Sequence, residues 1–229
     1  LPDFEVVELG DELGKTALVW QRHKSDKTDT AELPFLVTHS SGSTGKPKAV
    51  AFSQRTKLSR TFQSKRLFNV VPDDVILSPT PLHHSLGQRH LMLALMTGAT
   101  LVKAYPFNSD LWVKTVQKYQ VTFAIPVATH LKILQSRILS DTSILRSFRC
   151  LVTSSAPAEP EFKRSVLDKV SFEFWEIYGM TETACVTAVR YKKGDSAEHL
   201  GQALSGTDLR IANTNTSSAG EIEIHSDCL

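Results

Sequence analysis

Cysteine is scarce in this chain. Only Cys150, Cys185 and Cys228 occur in 229 residues, far apart and with no C-x-x-C. An odd, scattered set excludes a disulfide framework and a cysteine-rich zinc module, and it fits a reducing compartment, the cytoplasm. Net charge is nearly absent as well: 26 basic against 24 acidic side chains leave +2. No global field therefore draws the chain to nucleic acid or an anionic membrane. There is no run of about 18 apolar residues, the length a spanning helix needs, and we expect no signal peptide at the start. The chain opens on Leu1 rather than Met, so we expect a piece of a longer protein. No internal repeat is visible. What is present is ordinary globular composition, 41% hydrophobic and 22% charged, enough for one large core or two modest ones.

Between Leu36 and Val170, short runs rich in β-branched and aromatic residues alternate with longer helical ones. The short runs are "FLVTH", "DVILS", "ATLVK", "VTFAI", "FRCLV" and "FEFWEI". "SDLWVKTVQKY" puts Leu111, Val113 and Val116 near one face behind an N-cap at Ser109 or Asp110. "PVATHLKILQSRIL" starts at Pro126 and spaces Leu131, Leu134 and Ile138 helically, as "EPEFKRSVLDKV" does Phe162 and Val166. Another helix is expected from about Leu86 to Met96. This alternation predicts an α/β fold, a mostly parallel sheet flanked by helices. The polar stretch Arg22–Leu33 reads as a linker, so residues 1–34 form an N-terminal strand and linker segment and 35–195 the α/β core. In residues 196–229, "TDLRIAN" and "GEIEIHS" alternate apolar and polar around the turn-rich "TNTSSAG". They predict a hairpin in a small β-element.

The stretch "HSSGSTGKPKAV", His39 to Val50, has the chemistry of a phosphate cradle. Glycines let backbone N–H groups converge on one point, hydroxyls add donors and lysine adds a mobile charge. It is not a Walker loop: Pro47 follows Gly45-Lys46, and Ser40 stands five before Gly45. Pro47 donates no N–H and disfavours a helical Lys46, so no helix starts there. G-x-S-x-G fails too, because Ser41 takes the first glycine's place. A plain Gly/Ser linker is the structural alternative, which the two lysines around Pro47 argue against.

"SSGSTGKPKAV" resembles the phosphate-loop motif of the adenylate-forming enzymes: acyl-CoA synthetases, peptide-synthetase adenylation domains and luciferases. Ser40 stands for their common Thr and Ala49 for Gly. Further motifs follow in the family's order. "PLHHSLG" (81–87) resembles P-L-x-H-x-x-G, and "SSAPAEPEF" (154–162) resembles G-A-P-L-x-P-E-L with Ser155 in a glycine place. "YGMTET" (178–183) matches Y-G-x-T-E. "HLGQALSGTDLRI" and "GEIEI" resemble the next two segments. The T-G-D aspartate that grips ribose in the family, and the domain carrying its catalytic lysine, do not occur before Leu229. The resemblance thus implies part of the large N-terminal domain, with weak ATP binding and negligible turnover expected of this chain by itself.

The resemblance implies ATP and Mg²⁺ as cofactors and a reaction in two halves. A carboxylate attacks the α-phosphate to give acyl-adenylate and pyrophosphate; CoA or a carrier protein's phosphopantetheine thiol then takes the acyl group. Ser40, Ser41, Gly42, Ser43, Thr44, Gly45 and Lys48 would cradle the β- and γ-phosphates. Ser154, Ser155, Ala156 and Pro157 would wall the adenine, Tyr178 would stack on it beside Gly179 and Met180, and Glu176 would accept from its amino group. Thr181 would donate to the α-phosphate, Glu182 would hold Mg²⁺, and His84 would sit near the substrate carboxylate. Each has a structural alternative: Thr181 as a helix cap with Glu182 in the first turn, residues 154–157 as a strand-to-helix turn, Tyr178 as a core residue. His83, His84 and His90 invite a zinc reading, but no H-E-x-x-H or carboxylate accompanies them. Arg89 could meet a second substrate carboxylate, though it reads first as a solvated helix residue. No aspartate near His84 offers to hold an α-amino group, and Met180 rather than Pro follows Gly179. Both features point to a fatty or other organic acid, with an acyl carrier protein as a possible partner. A non-catalytic nucleotide- or acyl-adenylate-binding module is the alternative.

Overall fold

The computed structural model describes residues 30–40, 48–195, 199–212 and 220–229. Strands β1 (Pro34–Ser40) and β2 (Lys48–Ser53) pair antiparallel, with Ser40 opposite Lys48. The run "FLVTH" therefore belongs to this pair and not to the parallel sheet expected of it. The seven residues joining β1 to β2, which include Ser41, Gly42, Ser43, Thr44 and Gly45, lie outside the described residues. After Pro47 the chain continues as a strand, not a helix.

Helix α1 (Gln54–Leu67) starts at the Ser53 hydroxyl, which accepts from the Thr56 N–H at 3.1 Å. Its buried residues are Lys57, Arg60, Thr61 and Ser64, so hydrophobic periodicity cannot reveal it. There follow β3 (Val75–Ser78), α2 (Ser85–Thr97), β4 (Thr100–Lys103), α3 (Ser109–Tyr119) and β5 (Phe123–Ala124). Then come α4 (Ala128–Ser140), β6 (Cys150–Thr153), α5 (Pro160–Leu167), β7 (Glu173–Met180), β8 (Ala184–Tyr191) and the short β9 (Gln202–Ala203). The α3 cap is Asn108, one residue before the expected pair: its Oδ1 accepts from the Asp110 and Leu111 N–H groups at 2.8 and 3.1 Å. Helix α4 begins two residues after Pro126, because Val127 bridges to Ser154 in extended form.

The sheet order is β4-β3-β5-β6-β7-β8-β9. Strands β4 to β7 pair parallel, and β8 and β9 run antiparallel at one end. The expected α/β class, mostly parallel with flanking helices, is the one observed. The alternating segments after residue 206 form a separate antiparallel pair, β10 (Thr207–Ala212) with β11 (Glu221–Ser226).

Side-chain alternation divides the core into two layers. Ile76, Phe123, Cys150, Val152 and Ile177 pack with Phe68 and Leu93 on the α1–α2 side. Leu77, Ala124, Leu151 and Phe174 pack with Trp112, Leu134 and Phe162 on the α3–α5 side. Both faces are buried, which is why these strands read as short continuous apolar runs.

One polar group ties the entry edge of the sheet together. Buried Asp74 precedes β3 and accepts from Thr122 Oγ1 at 2.6 Å, from the Val71 N–H at 2.9 Å and from both sides of the Arg149 guanidinium. Arg149 also donates to the Phe68 and Asn69 carbonyls beyond α1. Burial by itself would raise the Asp74 pKa. The hydrogen bonds from Arg149, Thr122 and Val71 outweigh it and hold the carboxyl below its ordinary range. A lowered pKa stabilises the fold above the unfolded value and is lost as pH falls through the folded value. Asp74→Asn is therefore expected to melt well below the wild type near neutral pH, with the gap closing as pH falls below the ordinary carboxylate range. Melts across pH check this; a gap that stays constant would show that the charge of Asp74 is not what holds this edge.

Candidate active site

The C-terminal ends of β3 to β7 open into a single cavity of about 840 Å³. This is where an open α/β sheet places ligands. Pro79 to Pro81 follow β3, Tyr105 and Phe107 follow β4, Val127 and His130 follow β5, and Ser154 and Ser155 follow β6. Ile177, Gly179 and Met180 end β7, and Thr181 and Glu182 form the turn into β8. His84, Ser85, Leu86 and Arg89 come from the start of α2, and Ser40 and Lys48 from the β1–β2 pair. So Ser40, Lys48, His84, Ser154, Ser155, Gly179, Met180, Thr181 and Glu182 surround the same space.

Two glycines make this assembly possible. A Cβ on Gly179 would stand 1.7 Å from the Ala184 carbonyl oxygen, and one on Gly87 2.2 Å from that of Pro81. Gly179 thus lets β7 and β8 close at a bulge, and Gly87 lets α2 rest on the loop after β3. The 181–183 turn is closed by Thr183 Oγ1, which accepts from the Met180 N–H at 3.1 Å. Thr181 heads no helix: β8 follows directly, which corrects the helix-cap reading. Arg60 fixes the turn from behind. Its Nη1 donates to the Thr181 carbonyl at 2.8 Å, its Nη2 to that of Glu182, and its Nε to that of Cys228 at 2.7 Å. The half-buried Thr181 and Glu182 are thus held by their backbone, with their side chains uncommitted to it.

The floor is electropositive. Burial, then the neighbouring Arg60 and Arg89, push the Lys57 ammonium down to about 8. Burial, then Arg89, push Arg60 down to about 10. Arg89 is itself lowered, chiefly by burial. It lines the cavity and is not the solvated residue that the sequence suggests. Opposite, the rings of Phe107 and His130 stack at 3.8 Å, and burial lowers the His130 pKa. Sequence reading missed Tyr105, Phe107 and His130, although each follows the C-terminal end of a strand, the signal that finds them.

Glu176 requires a correction. Its carboxylate is buried and accepts from the Ala158 N–H at 2.8 Å, from Lys163 Nζ at 2.8 Å and from the Tyr191 hydroxyl at 2.9 Å. With these bonds made it is a structural group, not an acceptor for an adenine amino group. Tyr178, Ala156 and Pro157 do not line the cavity either. Of the three histidines, His90 is buried and its Nε2 accepts from the Ile125 N–H at 3.3 Å, turned away from exposed His83 and His84. Among the described residues no group of three His, Cys, Asp or Glu side chains could hold a metal.

Residues 3–229 match the family described as AMP-binding enzyme. The chain belongs to that family. It is 30% identical over 173 residues to an indoleacetate–CoA ligase of Aromatoleum aromaticum, covering 75% of this chain and 34% of the ligase. It is 31% identical over 178 residues to a 2-succinylbenzoate–CoA ligase of Bacillus pumilus, covering 76% and 36%. A luciferin 4-monooxygenase of Photinus pyralis is 27% identical over 185 residues, covering 79% and 34%. The chain therefore spans about a third of the length of these curated relatives. Among solved structures, a malonyl-CoA ligase with methylmalonyl-CoA and AMP bound superposes with a TM-score of 0.74 at 25% identity, over 90% of this chain and 46% of that one.

In this member of the family, Ser155 stands where the family motif has glycine, and its φ is +74°. A left-handed non-glycine residue costs roughly 1–2 kcal/mol, and glycine returns about 0.5–1 of that as lost chain entropy. Ser155→Gly is expected to raise stability by up to about 1 kcal/mol, read as a higher melting temperature. A lower melting temperature would show that the Ser155 hydroxyl contributes more than the backbone strain costs.

Proposed function

We propose that this chain is the nucleotide- and acid-binding part of an ATP-dependent, AMP-forming acid–thiol ligase. The observation that carries the reading is the convergence of Lys48, Ser154, Thr181 and Glu182 on one cavity at the strand ends, in a chain of the AMP-binding enzyme family. A carboxylate oxygen attacks the α-phosphorus of ATP, the bond from that phosphorus to the α,β-bridging oxygen breaks, and pyrophosphate leaves with that oxygen. The barrier lies in bringing two anions together, so catalysis is positioning and charge neutralisation. Lys48, exposed at the cavity rim, meets the β- and γ-phosphates, with Ser40 and the glycine stretch as further donors. Thr181 donates to the α-phosphate, on a backbone that Arg60 keeps in place. Glu182 offers the cavity a carboxylate, the oxygen donor a hard cation prefers. It would hold Mg²⁺, which when bound neutralises phosphate charge.

Ser154 and Ser155 face the adenine in this reading, with Gly179 and Met180 at its edge, and His84 stands by the substrate carboxylate. The acid is fatty or another organic acid without an α-amino group, since among the described residues Glu182 is the one carboxylate that lines the cavity with His84. CoA is the favoured thiol, because relatives are named as CoA ligases; a carrier protein's phosphopantetheine is the other. No helix among the described residues is long and apolar enough to cross a membrane. All three cysteines are free and buried, which supports a reducing, cytoplasmic setting.

ATP–pyrophosphate exchange by the full-length protein, across short, medium, long, aromatic and dicarboxylic acids, tests this. Exchange that depends on one acid class is expected. No exchange with any acid, in folded protein that binds ATP, would make the chain a binding module. Lys48→Ala is expected to lower exchange by about 100-fold or more, and Lys46→Ala by much less. Equal losses would remove Lys48 from the role of phosphate lysine.

A further inference from the structure

Three cations lie together between α1 and α2, and among the described residues none of them forms an ion pair. Lys57 Nζ donates to the Gln88 side-chain oxygen at 2.6 Å, and Arg60 uses its guanidinium on backbone carbonyls. Arg89 makes no hydrogen bond or ion pair among the described residues. None of the three has a carboxylate partner there, whereas the buried Asp74 and Glu176 have Arg149 and Lys163. A desolvated cation without a counter-ion destabilises a fold unless something compensates it. Burial lowers all three basic groups, and behind it Arg60 and Arg89 lower Lys57 and Arg89 lowers Arg60.

The arrangement has a direction. Arg89 and Ser85, one helical turn apart on α2, line both the large cavity and a small one behind it of about 10 Å³. Lys57 and Arg60 line only the small one, which has room for no more than a single water. An anion that enters the large cavity meets Arg89, with Lys57 and Arg60 raising the positive potential beside it. The Arg89 side chain presents a planar fork suited to a carboxylate. It sits five residues along α2 from His84, about 7 Å of helix.

We propose that Arg89 is a specificity-determining residue that pairs with the second carboxylate of a short dicarboxylic acid, the first being the one activated. The assignment rests on the ligase reading for the word "activated" and on the uncompensated guanidinium for everything else. A size-matched acid without the second charge leaves Arg89 unpaired and desolvated, so it is rejected.

The test uses malonate, succinate, glutarate and adipate, each beside its monomethyl ester, with the full-length protein, AMP or ATP, and Mg²⁺. Calorimetric binding and pyrophosphate exchange are both read. The wild type is expected to prefer one diacid over its ester by about 100-fold. Arg89→Met is expected to erase that preference by weakening the diacid alone, and Arg89→Lys to restore part of it. Equal binding of diacid and ester by the wild type overturns the proposal, whether or not the variants fold. So does an Arg89→Met protein that loses ATP binding equally with every acid, which would assign Arg89 to the phosphates. A diacid preference in binding with no exchange for any acid would overturn the ligase reading and leave the Arg89 pairing standing.

Discussion

The cavity depends on one buried ion pair that does not face it. Glu176 and Lys163 are each almost wholly inaccessible, 2.8 Å apart. Around them close the Ala158 N–H, which fixes the segment after β6, and the Tyr191 hydroxyl, which joins β8 to β7, its single proton shared between Glu176 at 2.9 Å and the His199 carbonyl at 2.8 Å. Burial, then Glu176, push the Tyr191 hydroxyl pKa up, so it stays a neutral donor. A buried pair of this kind adds little net stability over apolar packing, but loss of either partner leaves an uncompensated charge and costs about 3–5 kcal/mol. Its consequence is positional. The ends of β6 and β7, which carry Ser154, Ser155 and Gly179 to Glu182, are held side by side by groups behind them. The walls are therefore set before any ligand arrives, and binding energy need not be spent on ordering them.

Charge has been distributed with the same division of labour. Arg60 holds the Thr181–Glu182 turn through backbone carbonyls, so the two side chains remain available to the cavity. Hydrogen bonding of Arg60 to three carbonyls occupies three of its five donors without neutralising its charge. The positive potential beneath α2 is what remains. An electropositive floor next to a cavity where Glu182 is the one acidic lining residue among those described favours anionic ligands over neutral ones, and attracts them at a rate that falls with salt.

How far the sequence revealed this follows from what each residue buries. The parallel strands were legible because both of their faces meet apolar layers, and α3, α4 and α5 because each buries an apolar stripe. Helix α1 was not, since its inward face is Lys57, Arg60, Thr61 and Ser64, polar residues that read as solvent-exposed. Strand β8 was hidden by the same motif that revealed the site: Thr181 and Glu182 imitate the start of a helix, while the chain reverses into an antiparallel strand. Glu176 was misplaced because its spacing from Tyr178 puts it near the motif, whereas its charge belongs to Lys163 on α5, thirteen residues away in sequence. Pairings across that distance leave no local pattern.

The motif glycines show why the family resemblance was nonetheless strong. Gly87 and Gly179 are required by close approaches of backbone to backbone, 2.2 and 1.7 Å for an added Cβ, and no other residue fits without moving a strand or helix. These constraints belong to the scaffold, and any acid could be activated on it. Arg89 is of the opposite kind. Among the described residues the guanidinium has no hydrogen-bond or ion-pair partner, and a residue of similar length without charge would remove an electrostatic cost that Lys57 and Arg60 share. A charge that the fold opposes and does not use has its explanation in what enters the cavity. The identity of the acid is therefore read from the residue that fits the scaffold worst.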